Sequence, residues 1–320
     1  QNRISTRFKK TFMKILLITP VHPKLKTKKP LPTYQTQNHW CRAIKELGHQ
    51  VIVFPLNKNS LKVINFLRVK KLIKKKLFDH VFFSAGIDKL YPIKSTVFFC
   101  GVPPKKISSS ERKIALASKV IIVNDSRHQK QWQKLTKVKV VNLPYSAVDL
   151  KIFKPSQSKK IHDFVFVGTL FKNRQLQLIK LLKQNIDLKI WGWIPPSINL
   201  APGLASFYQG EAWGSDLVNI YQQAKIGLNL TPDHMTGTGN LRTFEIPACK
   251  TLQLVDKTNS NYYQKNKEII TFNSPKDLKN KLKFFLSNSS QREKIIQTAY
   301  QKTIKAHTFK HRFSKILKLV

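Results

Sequence analysis

Between residues 221 and 256 the sequence reads YQQAKIGLNLTPDHMTGTGNLRTFEIPACKTLQLVD. Arg242 and Glu245 stand three apart in it, the spacing that sets two side chains near one face of a helix. A fixed guanidinium suits a phosphate, and a carboxylate suits a pair of sugar hydroxyls. Before them runs the loop TPDHMTGTGN, with two glycines and several hydroxyls, where backbone N–H groups can approach a ligand closely. A helix opening at about Leu241 would aim its free N–H groups and the positive end of its dipole at the same place. Together these residues predict a hold on an anionic, hydroxyl-rich molecule. An ordinary βαβ unit with a solvated loop is the alternative that fits the same letters.

The flanks supply a scaffold. IGLNL and TLQLV read as short apolar strands, the second ending in Asp256. Strand, loop, helix, strand is the unit in which a parallel sheet presents ligands at the carboxyl ends of its strands. The pattern repeats along the chain. KILLITP, HQVIVFPL, DHVFFSAG, STVFFC, KVIIVND and KVKVVN are apolar runs ending in turns or polar residues, and a helix over about 38–47 stops at Gly48. The alternation breaks at AVDLKIFKP, 147–155, and a second set opens with DFVFVGTL. The helix NRQLQLIKLLKQ, the strand DLKIWGW, the helix SDLVNIYQQA and the strand EIITFN follow, then long helices from Ser274. This predicts an α/β protein of two Rossmann-like domains whose parallel sheets face each other across a cleft. The expected boundaries are a basic tail at 1–12, a first domain at 13–150, a linker at 151–160 and a second domain at 161–300. A terminal helix at 301–320 packs back on the first domain, and Met13 is a candidate original start. The nearest approach to a GxGxxG fingerprint, GTGNLR, has Arg242 where the third glycine would stand, which argues against a nicotinamide enzyme.

Composition narrows the classes. Of 320 residues 41% are hydrophobic and 23% charged, which excludes a disordered chain. No apolar run approaches the eighteen or so residues of a membrane span. Cys41, Cys100 and Cys249 are scattered without metal spacing, as expected of free thiols in a reducing, cytoplasmic compartment. His307 and His311 are four apart but lack nearby Cys or carboxylates, so no metal site is predicted. The net charge of +42 admits phosphate-bearing substrates, an anionic membrane or simply a lysine-rich composition. Lysine outweighs arginine and is spread along the chain, which argues against nucleic acid. The segment SLKVINFLRVKKLIKKKL at 60–77 combines a Leu61, Ile64, Leu67, Leu72 or Ile73 stripe with Lys and Arg opposite. Such a helix is either the solvated outer layer of an α/β domain or a peripheral contact with an anionic bilayer, here the inner face of the plasma membrane.

Four stretches carry a resemblance to the nucleotide-sugar glycosyltransferases of GT-B architecture, above all to the group named after the spore-maturation protein CgeB. They are DFVFVGTLFKNR, then YQQAKIGLNL with NLRTFEIPACKTLQLVD, then EIITFNSPKDLKNKLKFFLSN, and HTFKHRFSKIL. The linker LPYSAVDLKIFKP is similar to a passage of the retaining family 4 relatives, and the first half is similar only in its βαβ pattern and RAIKELGHQVIVF. The resemblance implies a donor that is a nucleotide diphosphate sugar, UDP- or GDP-linked, with no cofactor or metal required. It implies that Gly168 and Thr169 approach the diphosphate, with Arg174 as a charge partner. Asn240, Arg242 and Thr243 would line the pyrophosphate end of the helix, and Glu245 would hold the ribose hydroxyls. Three positions depart from the pattern: Gly237 where family 4 has a Glu, Lys250 where the motif has Gly, and Cys100 where many relatives place a His.

The implied reaction is retaining transfer of a sugar to an acceptor hydroxyl, on a glycan or a lipid-linked acceptor, in the synthesis of cell-surface polysaccharide or glycoconjugate. Arg242, with Arg174 or a lysine, would stabilise the departing diphosphate. His22, after the first strand, is the candidate general base, with His234 as the alternative. Trp191, Trp193 and Trp213 are stacking candidates, with core filling the expectation for at least two of them. The rival from another class is a non-catalytic basic GT-B scaffold that binds an anionic membrane or RNA through Lys70, Lys71, Lys74, Lys75 and Lys76.

Overall fold

The computed structural model describes residues 12–20, 36–56, 62–75, 77–86, 93–144, 146–231, 239–256 and 262–320. His22, Lys76, His234 and Gly237, and the expected tail up to residue 11, lie outside them.

The first half builds a six-stranded parallel sheet from β1 (Lys14–Pro20), β2 (Gln50–Leu56), β3 (His80–Ser84), β4 (Val97–Cys100), β5 (Val120–Val123) and β6 (Lys139–Asn142). The order is β2-β1-β3-β4-β5-β6. The second half builds a five-stranded sheet from β7 (His162–Val167), β8 (Lys189–Trp191), β9 (Ala224–Asn229), β10 (Leu252–Val255) and β11 (Ile270–Thr271), ordered β11-β10-β9-β7-β8. Every strand pair is parallel. The apolar runs dictate this, because a parallel strand has both faces covered by helices. In β1, Ile15 and Leu17 join the core containing Trp40 and Phe82, while Leu16 and Ile18 join the opposite one with Val69 and Phe98. In β7, Phe164 and Phe166 face one core and Val165 and Val167 the other.

Strand order reverses once in each sheet, between β1 and β3 and between β7 and β9. At such switch points the loops leave in opposite directions and open a crevice at the carboxyl ends. Both crevices therefore lie at strand ends, and the helices close the flanks. These are α1 (Thr36–Glu46), α2 (Lys62–Lys74), α3 (Ser109–Leu116), α4 (Ser126–Gln133), α5 (Lys172–Leu182) and α6 (Ser215–Gln222). The chain ends in α7 (Arg242–Ala248), α8 (Pro275–Ser287), α9 (Ser289–Ala306) and α10 (Phe309–Ile316).

The chain crosses between halves twice, side by side. Val148 donates to the His307 carbonyl at 3.1 Å, and Phe309 donates to the Val148 carbonyl at 3.0 Å. Beyond this junction α10 drops Phe309, Phe313 and Ile316 into the core of the first sheet, against Trp40 and Phe99. Asp149 holds the same corner, taking hydrogen bonds from Arg42 Nε at 2.5 Å and His39 Nδ1 at 3.0 Å. Burial works against its charge, but those two partners hold its pKa below the usual carboxylate range.

Candidate active site

A cleft of about 680 Å³ opens between the carboxyl ends of the two sheets. The first half contributes Ala85 and Gly86 after β3, Gly101 and Val102 after β4, Asn124 after β5, and Ser146, Thr36 and Lys106. The second half contributes Gly168 and Thr169 after β7, Asn229 and Leu230 of the β9 end, and Asn240, Leu241 and Arg242.

Arg174 stands astride the switch point of the second sheet. Its Nη1 donates to the Thr169 carbonyl at 2.9 Å and its Nη2 to the Leu230 carbonyl at 3.1 Å, so it joins the β7 and β9 loops. The guanidinium lies over the Phe166 ring at 5.7 Å. Two carbonyls on separate strand-end loops thereby fix the orientation of the planar fork. Gly168 beside it is constrained from the other side. Its N–H donates to the Trp191 carbonyl at 3.0 Å, and a Cβ on Gly192 would come within 1.8 Å of the Gly168 carbonyl oxygen. Glycine at 192 is what lets the β7 and β8 loops touch.

Arg242 is the second fixed cation. Its Nε donates to the Val167 carbonyl at 3.0 Å, its Nη1 pairs with Glu245 Oε2, and its plane lies 6.0 Å from the Tyr221 ring. Burial is the largest single influence and opposes its charge, but Glu245, Tyr221 and Cys249 together raise its pKa on balance. Asn240 anchors the helix start: its Oδ1 accepts from the Thr243 N–H at 3.0 Å and its Nδ2 donates to Asn229 Oδ1 at 2.8 Å. Asn229 in turn donates to Gln253 Oε1 at 2.7 Å and to Thr243 Oγ1 at 3.3 Å. This buried polar network locks the ends of β9, β10 and α7 together.

Of the residues singled out in sequence, Gly168, Thr169, Arg174, Asn240 and Arg242 come together in the cleft wall. Thr243 and Glu245 stand one layer behind it. Glu245 is 3% exposed and its carboxylate is engaged by Arg242, so in this state its partner is a guanidinium. The helix itself differs from the expectation. α7 has seven residues with Pro247 inside it, so its aligned dipoles are few and the fixed charge at its start comes mainly from Arg242.

The tryptophans leave the site. Trp191 packs against the second core and His162, Trp213 is exposed and bonded to Glu211, and among the described cleft residues none is Trp. Lys250 has φ +52°, a left-handed conformation at the helix end, which is the physical reason a glycine is common in such a place. Its ammonium reaches the Tyr300 ring at 5.1 Å rather than the cleft. Cys100 is buried, donates to the Val102 carbonyl at 3.1 Å and has its thiol pushed up to about 11 by desolvation, so it offers the cleft no thiolate. His307 and His311 are both engaged by protein groups, the first by Tyr262 O and Arg312, the second by Thr308.

Two residues of the first-half wall and one behind it were missed. Asn124 is 5% exposed, and its Oδ1 is buried without a hydrogen-bond partner. The signal for it was the polar residue closing KVIIVND, which a parallel sheet puts at its ligand end. Glu111 stands behind the wall, its Oε1 accepting from the Gly86 N–H at 2.7 Å while it forms a capping box with Ser108. Lys106 projects from the short turn that Pro103 and Pro104 open after β4.

The architecture is that of the GT-B proteins. Residues 174–318 match the family model described as Glycosyl transferase-like. The spore protein CgeB of Bacillus subtilis is 27% identical over 132 residues, 41% of this chain and 38% of that relative, so the match spans under half the length of either. A glycosyltransferase from Rickettsia africae superposes with a TM-score of 0.66 at 14% identity, covering 96% of this chain and 97% of its own. The Anabaena protein HepE, solved with UDP and glucose, gives 0.64 at 12% identity, covering 96% and 100%. The resemblance to GT-B glycosyltransferases thus holds at the level of sequence in the second half and of fold throughout.

Proposed function

We propose that the protein is a nucleotide-sugar glycosyltransferase that holds the donor diphosphate against Arg174 and Arg242 and takes the acceptor on the wall made by the first half. The observation that carries this reading is the pair of guanidiniums, each fixed by strand-end carbonyls and both lining one cleft between two sheets. The glycosyltransferase-like match in the second half and the UDP bound by the Anabaena neighbour support it.

The residues divide the work as follows. The guanidiniums of Arg174 and Arg242 stabilise the charge that grows on the diphosphate as the bond from the anomeric carbon to the phosphate oxygen breaks. The acceptor hydroxyl oxygen bonds to that carbon on the same face, and its proton ends on the departing diphosphate. The donor is UDP- or GDP-linked, the configuration is retained, two guanidiniums serve where a metal would otherwise neutralise the phosphates, and the acceptor is a glycan or a lipid-linked sugar of the cell surface. On binding, the ribose hydroxyls take over Glu245 Oε atoms now turned to Arg242.

A panel of UDP, GDP, ADP, CMP and dTDP tests the reading by thermal shift and calorimetry on the protein and on Glu245→Ala. A ligand of the folded state at a hundredfold its Kd raises stability by about 2.7 kcal/mol. One nucleotide should shift the wild type and not the variant. No shift with any of the five would sink the transferase reading in favour of a basic scaffold.

A further inference from the structure

The outer face of α2 is the least expected surface of the molecule. Its sequence stripe suggested that Ile64 and Leu67 would be buried. Instead Val69 is the fully buried side chain, with Phe66, Leu72 and Ile73 half-buried beside it, and Val63, Ile64 and Leu67 are 46%, 39% and 58% exposed. At about 100° per residue Val63, Ile64, Leu67, Lys71 and Lys74 share the face opposite Val69, with Arg68 and Lys70 on its two flanks. Arg68, Lys70, Lys71, Lys74 and Lys75 are all exposed, and 57–76 contains no Asp or Glu. The outer face is thus apolar over its first two turns and cationic over the rest. A helix that only caps a soluble domain turns polar residues outward.

Topology says where this face points. α2 leaves the carboxyl end of β2 and returns to the start of β3, which is parallel to β2 through β1. Its first turns therefore lie at the same end of the first sheet as Ala85 and Gly86 in the cleft wall, and its cationic end lies further back. The apolar cluster sits at the cleft end of the molecule.

We propose that this face docks on an anionic phospholipid bilayer, with Val63, Ile64 and Leu67 entering the interface and the cations behind them meeting lipid phosphates. Apolar insertion beside a cationic patch matches the two layers of such a surface, and a bulk attraction of a basic protein would use neither the three apolar side chains nor their position. The docking stands apart from the transferase reading. With that reading, it places the acceptor wall next to the bilayer, where a lipid-linked acceptor would be taken up.

Flotation of the full chain with phosphatidylcholine vesicles, with and without phosphatidylglycerol, at physiological ionic strength tests this. The triple variant Val63→Ser, Ile64→Ser, Leu67→Ser keeps every charge, and because those side chains face solvent its melting temperature should equal that of the wild type. It should lose roughly tenfold or more of its binding to the anionic vesicles. Lys70, Lys71 and Lys74 replaced by Gln should lose as much. The same change at Lys276, Lys279 and Lys283, exposed on α8, should leave binding unchanged. Undiminished binding by the serine variant, or equal loss from the α8 variant, would reduce the effect to net charge and overturn the proposal. So would binding to poly-uridylate but not to vesicles. Nucleotide shifts in all variants should match the wild type, which separates a failure here from a failure of the donor site.

Discussion

Arg242 is asked to do two things at once, and its substitution should show both. Its Nε satisfies the Val167 carbonyl and its Nη1 neutralises Glu245, a carboxylate with 3% exposure. Arg242→Gln removes the charge and leaves that carboxylate buried and uncompensated, which costs about 3 kcal/mol or more by analogy with broken buried pairs. Urea unfolding should show that loss, and calorimetry should show at least a tenfold weaker nucleoside diphosphate with a much smaller loss for the nucleoside alone. Equal loss for both ligands would mean that the guanidinium only shapes the pocket. Arg242 and Glu245 were legible in sequence because a three-residue helical spacing is a local property. That they pair with each other, rather than dividing phosphate and ribose between them, was not. It depends on the Val167 carbonyl of a strand 75 residues away.

At the scale of elements the strands were the legible part. Buried parallel strands announce themselves as short apolar runs, and every such run became a strand. Helix faces were harder, since the exposure of Ile64 and Leu67 depends on how α2 rolls over Val69, which periodicity alone does not fix. Loop contacts were invisible. Gly192 stands in a strand-like DLKIWGW, and only the fold shows the Gly168 carbonyl 1.8 Å from where its Cβ would be. Gly192→Ala must push the β7 loop aside. We expect a melting temperature several degrees lower, as for a loss of about 2 kcal/mol, together with weaker nucleotide binding because Arg174 hangs from the same loop. An unchanged melting temperature would mean that the two loops do not touch in solution. Lys250 makes the opposite case. Its φ of +52° strains any residue with a Cβ, so Lys250→Gly should stabilise by up to about 1 kcal/mol in urea, less the loss of its contact with Tyr300. Destabilisation would show that the contact outweighs the strain.

The whole molecule is held together where two chain crossings meet, and a histidine sits at that meeting. His307 is 6% exposed, donates from Nε2 to the Tyr262 carbonyl and accepts at Nδ1 from Arg312. That is the pattern of a neutral ring. Desolvation, with Arg312 adding to it, lowers its pKa to about 4. The folded pKa lies below the ordinary 6.5, so the unfolded chain binds the proton first. The stabilisation is complete above pH 6.5 and is lost as the pH falls from there towards 4. His307 alone accounts for on the order of 3 kcal/mol across that window. His80, His128, His162 and His311 are lowered by burial as well and tilt the curve in the same direction. Each also adds charge to a chain already at +42, and self-repulsion deepens the loss. The urea midpoint should therefore fall steadily between pH 6.5 and 4.5, and added salt should recover only the repulsive share. In His307→Gln, which cannot titrate, the slope should be shallower than in the wild type while stability at pH 7.5 is lower. An unchanged slope would place the acid sensitivity elsewhere. A shallower one would make the crossing of α9 into α10 the joint through which acid loosens the two halves, because the His307 carbonyl is the one that Val148 holds.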